Sequence, residues 1–249
     1  MEWYNILALN GAGFVAGFIN TLAGGGSMLT LPLLIFLGLP ANVANGTNRV
    51  AILFQSMAGL KAFKSKNAID FKVDSRLAIP AVIGAIPGAM LASYLNADVM
   101  KKVIAVTLIS MFLLIIFKPK VWEKSMTADP AKPLWWHYPL FVMIGFYGGF
   151  IQVGIGFILL AGLVMASGYD LVRGNAVKKL IIFLYTPVAL AIFFYNGQVN
   201  IKAGLFLAVG NMLGAVAAAN FAVSWGPKAV KYFLLVALVV VSFKLLDVF

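Results

Sequence analysis

Two short stretches of this chain hold the residues best suited to chemistry. Asn45-Gly46-Thr47-Asn48-Arg49 and Arg173-Gly174-Asn175-Ala176-Val177-Lys178 each set a glycine, an amide and a cation at the start of a long apolar segment. Guanidinium, ammonium and amide N–H groups are donors, so the chemistry they offer is anion recognition. A purely structural role is open to the same residues: Arg49 and Lys178 can snorkel to the interface from a helix end. Ahead of each stretch lies a glycine break, Gly24-Gly25-Gly26-Ser27 in the first case and Gly154-Ile155-Gly156 in the second. A glycine inside a helix costs roughly 1 kcal/mol against alanine. In lipid, freed backbone groups must also find partners inside the protein. Helices broken at matching places in two halves point to a binding site at the break. Unwound N–H groups, backed by helix N-terminal dipoles and the Ser27 hydroxyl, would face an anion. Close helix packing or a tight hairpin turn accounts for the same glycines without a ligand. A nucleotide loop is excluded, because no Lys-Ser/Thr pair follows Gly24–Ser27 and no strand precedes it.

The elements that must position these residues are membrane helices. The chain has 249 residues, of which 62% are hydrophobic and 11% charged, whereas a soluble domain carries about 25% charged residues. This is a polytopic, all-α membrane protein whose first partner is the lipid bilayer. Its net charge of +11 fits cytoplasmic loops obeying the positive-inside bias, with no nucleic acid required. Residues 1–4 carry no basic run, so the first apolar stretch is expected to be a retained span. Apolar segments are expected over 6–22, 28–37, 50–63, 77–95 and 99–117. A polar cytoplasmic linker over 119–136 then divides a first repeat (1–118) from a second (137–249). Trp3, Tyr4, Trp122, Trp135, Trp136, Tyr138, Tyr195, Trp225 and Tyr232 fall near segment ends, as an interfacial belt would.

The two repeats align residue by residue. Gly145, Gly154 and Gly174 follow Gly17, Gly26 and Gly46 at an offset of 128, and Asn200, Gly214 and Lys231 follow Asp70, Gly84 and Lys101 at 130. If the arms around each break fold as a hairpin, each repeat has five membrane segments and the second enters inverted. Loops 61–76, 118–136, 166–179 and 224–231 then share the inner face and hold fourteen of the nineteen Lys and Arg residues. Four continuous spans per repeat would split them eleven to eight, so positive-inside prefers two inverted repeats, each a glycine-broken hairpin plus three spans. Gly13/Gly17, Gly84/Gly88, Gly145/Gly149 and Gly210/Gly214 read as helix contacts, since small residues let backbones approach.

What is missing narrows the function. All eight acidic residues lie in loops or at segment ends, His137 is the single histidine, and there is no cysteine. No buried proton relay, metal cluster, cofactor site or nucleophile constellation can be assembled from these, so an enzyme is excluded and no cofactor is expected. Asn20, Thr21, Gln55, Gln152 and Asn211 are polar groups inside apolar runs, each able to satisfy a neighbouring helix. An anion leaving a negative-inside cell gains about 2.3 kcal/mol per charge per 100 mV, so export needs no carboxylate relay.

With these residues in view, the chain resembles the sulfite exporter TauE/SafE family. The matching pieces run from Gly17-Phe18 through Gly24–Ser27, Leu31-Pro32-Leu33-Leu34 and Leu37-Gly38-Leu39-Pro40. They continue with Ala44–Asn48, Ala68-Ile69-Asp70-Phe71, Gly84 with Pro87-Gly88, and Gly145–Phe150 with Gly154–Gly156. The resemblance implies a multi-pass permease of the bacterial inner membrane for sulfite or an organosulfonate, acting most often in export. Two departures mark this chain: Arg49 stands where the family pattern has an apolar or small residue, and the second repeat keeps only Gly154 and Gly156 of its glycine run. The expected function is transport of a small sulfur-containing anion by alternating access at a midplane site. That site is made of Gly24, Gly25, Gly26, Ser27, Asn48, Arg49, Gly154, Ile155, Gly156, Asn175 and Lys178. The alternatives are uptake of another small anion, or a non-transporting role in membrane assembly.

Overall fold

A computed structural model describes residues 3–22, 24–64, 71–117, 134–169 and 171–221. Most of the expected linker, the final expected segment, and Trp122, Trp225, Lys231 and Tyr232 lie outside the described residues. Within them the fold is helical throughout: α1 (Trp3–Leu22), α2 (Ser27–Phe36), α3 (Ala41–Lys64), α4 (Phe71–Tyr94), α5 (Ala97–Phe117), α6 (His137–Phe150), α7 (Ile155–Ala161), α8 (Leu171–Tyr195) and α9 (Ile201–Phe221). A π-helical turn, Gly162–Ala166, extends α7. Among the described residues, the stretches 73–94, 173–195 and 201–218 are long and apolar enough to cross a bilayer, while α2 and residues 155–166 are too short. Trp3, Tyr4, Trp135, Trp136, Tyr138 and Tyr195 are exposed at helix ends.

One boundary differs materially from the sequence reading. The stretch 45–49 was expected ahead of a segment starting at Val50, but α3 begins at Ala41 and carries all five residues buried within it. Pro40 explains the early start. Its carbonyl accepts the Ala44 N–H, and proline is well suited to a helix opening because its missing N–H is not needed there. The polar side chains tolerate burial because other elements supply their partners: Thr47 Oγ1 accepts the Asn200 N–H at 2.9 Å, and Asn45 Nδ2 donates to the Phe150 carbonyl at 2.9 Å.

Both broken stretches double back. Gly26 lies against the Ala16 carbonyl and Asn20 of α1. In the second half Ile155 packs on Gly148, and Gly162 on Ile144 and Phe141, so α7 runs back along α6. His137 staples the open end of that hairpin. Its Nδ1 accepts the Leu134 N–H at 3.0 Å and its Nε2 donates to the Ala166 carbonyl at 2.8 Å.

The hairpins are held by two glycine seams. On α1, Gly13 and Gly17 face backbone carbonyls of Leu207 and Asn211 on α9, while Gly210 and Gly214 face those of Asn10 and Phe14. On α4, Gly84 and Gly88 face carbonyls of Val142 and Phe146 on α6, while Gly145 and Gly149 face those of Ala81 and Ala85. At each seam the helix pair runs parallel and four glycines meet four carbonyls. Apolar burial alone distinguishes little between protein and lipid tails, so this close backbone fit is what selects the pairing. Helices α3 and α8 cross the centre antiparallel, with Gly46 beside Phe193 and Gly59 beside Lys179.

Asp74 of α4, fully buried, ties this scaffold to the α7–α8 connection. It accepts the Tyr169 hydroxyl at 2.9 Å and lies 3.6 Å from an Arg173 guanidinium nitrogen.

The seams yield a paired test on one helix. A Cβ at Gly17 would overlap the Asn211 carbonyl, whereas one at Gly11 meets nothing within 4 Å. Gly17→Ala is expected to destabilise the detergent-solubilised protein by about 1–3 kcal/mol through overpacking. Gly11→Ala should be neutral or stabilise by about 0.5–1 kcal/mol. Thermal unfolding of the two variants checks the contrast, and equal behaviour would refute the seam.

Candidate site at the paired helix breaks

The two glycine breaks, 130 residues apart in the sequence, touch. A Cβ on Gly24 would lie 2.8 Å from the Gly156 carbonyl carbon, and one on Gly156 would lie 2.6 Å from the Gly24 Cα. Backbone therefore rests on backbone at this point. Gly24 has φ +93° and Gly154 φ +68°, a left-handed conformation that costs other L-residues about 1–2 kcal/mol. Gly154 is further walled by Met28 of α2 and Met111 of α5. Neither α2 nor α7 has a side-chain N-cap. Among the described residues, the N–H groups of Gly25, Gly26, Ser27, Gly154 and Gly156 find no backbone acceptor.

Arg49 reaches this region in a way the sequence did not suggest. Its guanidinium is fully buried and donates to the last carbonyls of α6: Nη1 to Gly148 at 3.1 Å, Nη2 to Gly149 at 2.5 Å and to Phe150 at 3.5 Å. The break after Phe150 strips these carbonyls of intrahelical donors, and their partial negative charge favours a cation. The Phe193 ring lies 4.6 Å beneath the guanidinium carbon. Arg49 thus caps a broken helix, and its Nε keeps no partner.

Further unpartnered polar atoms belong to side chains at the same junction. Asn48 Oδ1 accepts the Thr30 hydroxyl at 2.6 Å, leaving Nδ2 without an acceptor. Gln152, two residues before Gly154, donates to Thr186 Oγ1 at 3.4 Å, and its Oε1 is unpartnered. The Tyr185 hydroxyl, fully buried against Gly148, is also unpartnered. Tyr147 steadies the break by donating its hydroxyl to the Val153 carbonyl. On the first-half side, Asn20 Nδ2 donates to Gln55 Oε1 at 2.7 Å, and Gln55 Nε2 to the Gly17 carbonyl at 3.1 Å.

Of the residues expected to form the site, the structure gathers Gly24, Gly25, Gly26, Ser27, Asn48, Arg49, Gly154, Ile155 and Gly156 around one junction. Asn175 and Lys178 stand apart. They were expected at the start of a span, with Lys178 and Lys179 counted in an inner-side loop. Instead both lysines lie inside α8 and are buried. The Lys178 ammonium donates to Asn175 Oδ1 at 2.6 Å. Tyr185 was not anticipated, and its only sequence signal is a phenol followed by Thr186-Pro187 inside an apolar run. No group of three metal-ligating side chains occurs among the described residues.

Comparison with known proteins supplies the family of this chain. The sulfite exporter TauE/SafE family model matches residues 9–245. The chain belongs to this family. It is 30% identical to the "Probable membrane transporter protein ORF9" of Sinorhizobium sp, across 94% of this chain and 90% of that protein. It is 28% identical to a "Probable membrane transporter protein" of Haemophilus influenzae, across 88% of this chain and 86% of that protein. Against the "Probable membrane transporter protein YfcA" of Escherichia coli K12 the identity is 29%, with 93% and 86% covered. No solved structure matches the chain. As a TauE/SafE member this is a membrane transporter, and Arg49 stands in it as a buried cap on the second broken hairpin.

Arg49→Met is therefore expected to destabilise the protein by at least ~2 kcal/mol, because buried carbonyls lose their donors at about 1–3 kcal/mol each. Arg49→Lys should recover part of the loss. Thermal unfolding of the purified variants measures both, and a Met variant as stable as the parent would refute the capping role.

Proposed function

We propose that this transporter is an anion permease of the bacterial inner membrane that exports sulfite or an organosulfonate. In this reading two inverted repeats alternate access around the paired glycine breaks. The observation that carries it is the buried charge of Arg49. Among the described residues no carboxylate pairs with it, and taking an unneutralised charge out of water costs several kcal/mol. Helix-end carbonyls offset part of that cost, and a bound anion would offset more. The unpartnered donors around it, Arg49 Nε, Asn48 Nδ2 and the Tyr185 hydroxyl, suit an oxyanion and not a metal cation.

The inverted arrangement is supported by how equivalent elements meet. With α1–α4 taken as counterparts of α6–α9, the α1–α9 and α4–α6 seams are the same contact seen from two halves. The counterparts α3 and α8 run antiparallel, as an axis in the membrane plane requires. A negative-inside potential would drive a monoanion outward with about 2.3 kcal/mol per 100 mV.

The test is flux from liposomes loaded with sulfite, with potential imposed and sulfate, sulfoacetate and chloride as competitors. Efflux should rise with an inside-negative potential and fall with a competing sulfonate. Tyr185→Phe should lower kcat/KM about ten- to a hundredfold while folding normally, the loss of one hydrogen bond to a charged ligand being worth about 1.5–3 kcal/mol. Absence of flux for every anion, from protein shown to be folded, would end this reading.

A further inference from the structure

We infer that Lys178, Lys179 and Asn175 form a second oxyanion station, separate from the paired breaks and nearer the start of α8; the inference rests on the anion reading above. Both lysines are 1% exposed. Lys178 donates to Asn175 Oδ1 at 2.6 Å, a neutral acceptor that leaves the charge uncompensated. Lys179 lays its alkyl stem along Gly59 of α3 and donates no hydrogen bond among the described residues. The one ion pair described, Arg173 with Asp74, does not involve either lysine.

Two consecutive buried lysines with no carboxylate partner among the described residues are a poor structural choice. An apolar residue of similar volume would fill the same space at no cost or with a gain in stability. A ligand that brings the missing negative charge gives the pair a reason to exist. An oxyanion fits, since each ammonium offers donors and no acceptor.

The second station is distinct from the first. The guanidinium of Arg49 sits at the level of Phe193 on α8. Lys179 lies fourteen residues earlier on that helix, about 21 Å at 1.5 Å per residue. Arg49 and Lys179 thus contact different ends of the α3–α8 crossing. The antiparallel crossing of α3 and α8 sets a cation station on either side of the central Gln55 and Tyr185. The oxyanion has two sources, a free anion in transit or the phosphate of an anionic lipid headgroup.

The experiment is calorimetric titration of the purified, delipidated protein with sulfite and methanesulfonate under argon. It is paired with native mass spectrometry of retained phosphatidylglycerol. The parent protein is expected to bind two anions, and Lys178→Met with Lys179→Met to bind one, the second affinity falling at least tenfold. Without anion the double variant should melt no lower than the parent. If it does not fold, Lys179→Met and Asn175→Ala singly carry the same comparison. Added phosphatidylglycerol that displaces one sulfite from the parent alone identifies the lipid as occupant, and no displacement identifies the free anion; either supports the station. One anion per chain in parent and variant alike, with equal lipid retention, overturns the station and leaves the permease reading intact. No anion bound by either protein, with equal lipid retention, overturns both.

Discussion

A helix that stops inside a bilayer leaves carbonyls behind it and N–H groups ahead of it, with no water to take them. That constraint organises the centre of this transporter. The Gly24 and Gly156 backbones press together, so neither break is open to lipid. The carbonyls released at the end of α6 are met by Arg49 and Asn45, both reaching across from α3. The first hairpin is closed differently, by an amide pair, Asn20 and Gln55, with Gln55 continuing to the Gly17 carbonyl. The freed carbonyls of the second hairpin are thus met by a charge, while the first hairpin is held to α3 by a neutral amide network, which makes the two ends of the centre electrostatically unequal.

The hairpins can hold this arrangement because the seams are rigid. Glycines facing carbonyls at van der Waals contact leave no room for a helix to slide, since displacement brings a Cβ or a neighbouring carbonyl into the same space. Each hairpin is then clamped to a helix of the other half, α1 to α9 and α6 to α4. Motion between the hairpins must pass through the contact of the two breaks or through the α3–α8 crossing. Both places hold buried polar atoms without partners, as does the α1–α9 seam at Asn211.

Much of this was legible in the sequence, for identifiable reasons. Composition discloses an all-helical membrane chain, and glycines four apart disclose the seams, because both signals are local. The breaks themselves are local too. Their mutual contact is not, since nothing in Gly24-Gly25-Gly26 specifies that Gly156 rests upon it. Arg49 was legible as a functional candidate but its partner was not. The preference of a cation for a helix C-terminus is a tertiary fact here, with partner residues 99 and 100 positions away. The buried position of Lys178 and Lys179 was hidden by the same limit. A basic pair after a glycine looks like a loop on charge alone, until the helix start at Leu171 and the stem packing on Gly59 are known.

The placement of Tyr185 sharpens the point about what the centre demands. Gln55 on α3 and Tyr185 on α8 both project from the α3–α8 crossing toward the hairpin they face. Gln55 meets Asn20, whereas Tyr185 meets Gly148, the counterpart of Asn20 at the offset of 128. On one side an amide faces an amide and is hydrogen-bonded to it, and on the other a phenol faces a bare backbone. In the first half the polar group is satisfied and locked. In the second the hydroxyl is held in position and left open, against the hairpin that Arg49 caps from the first half.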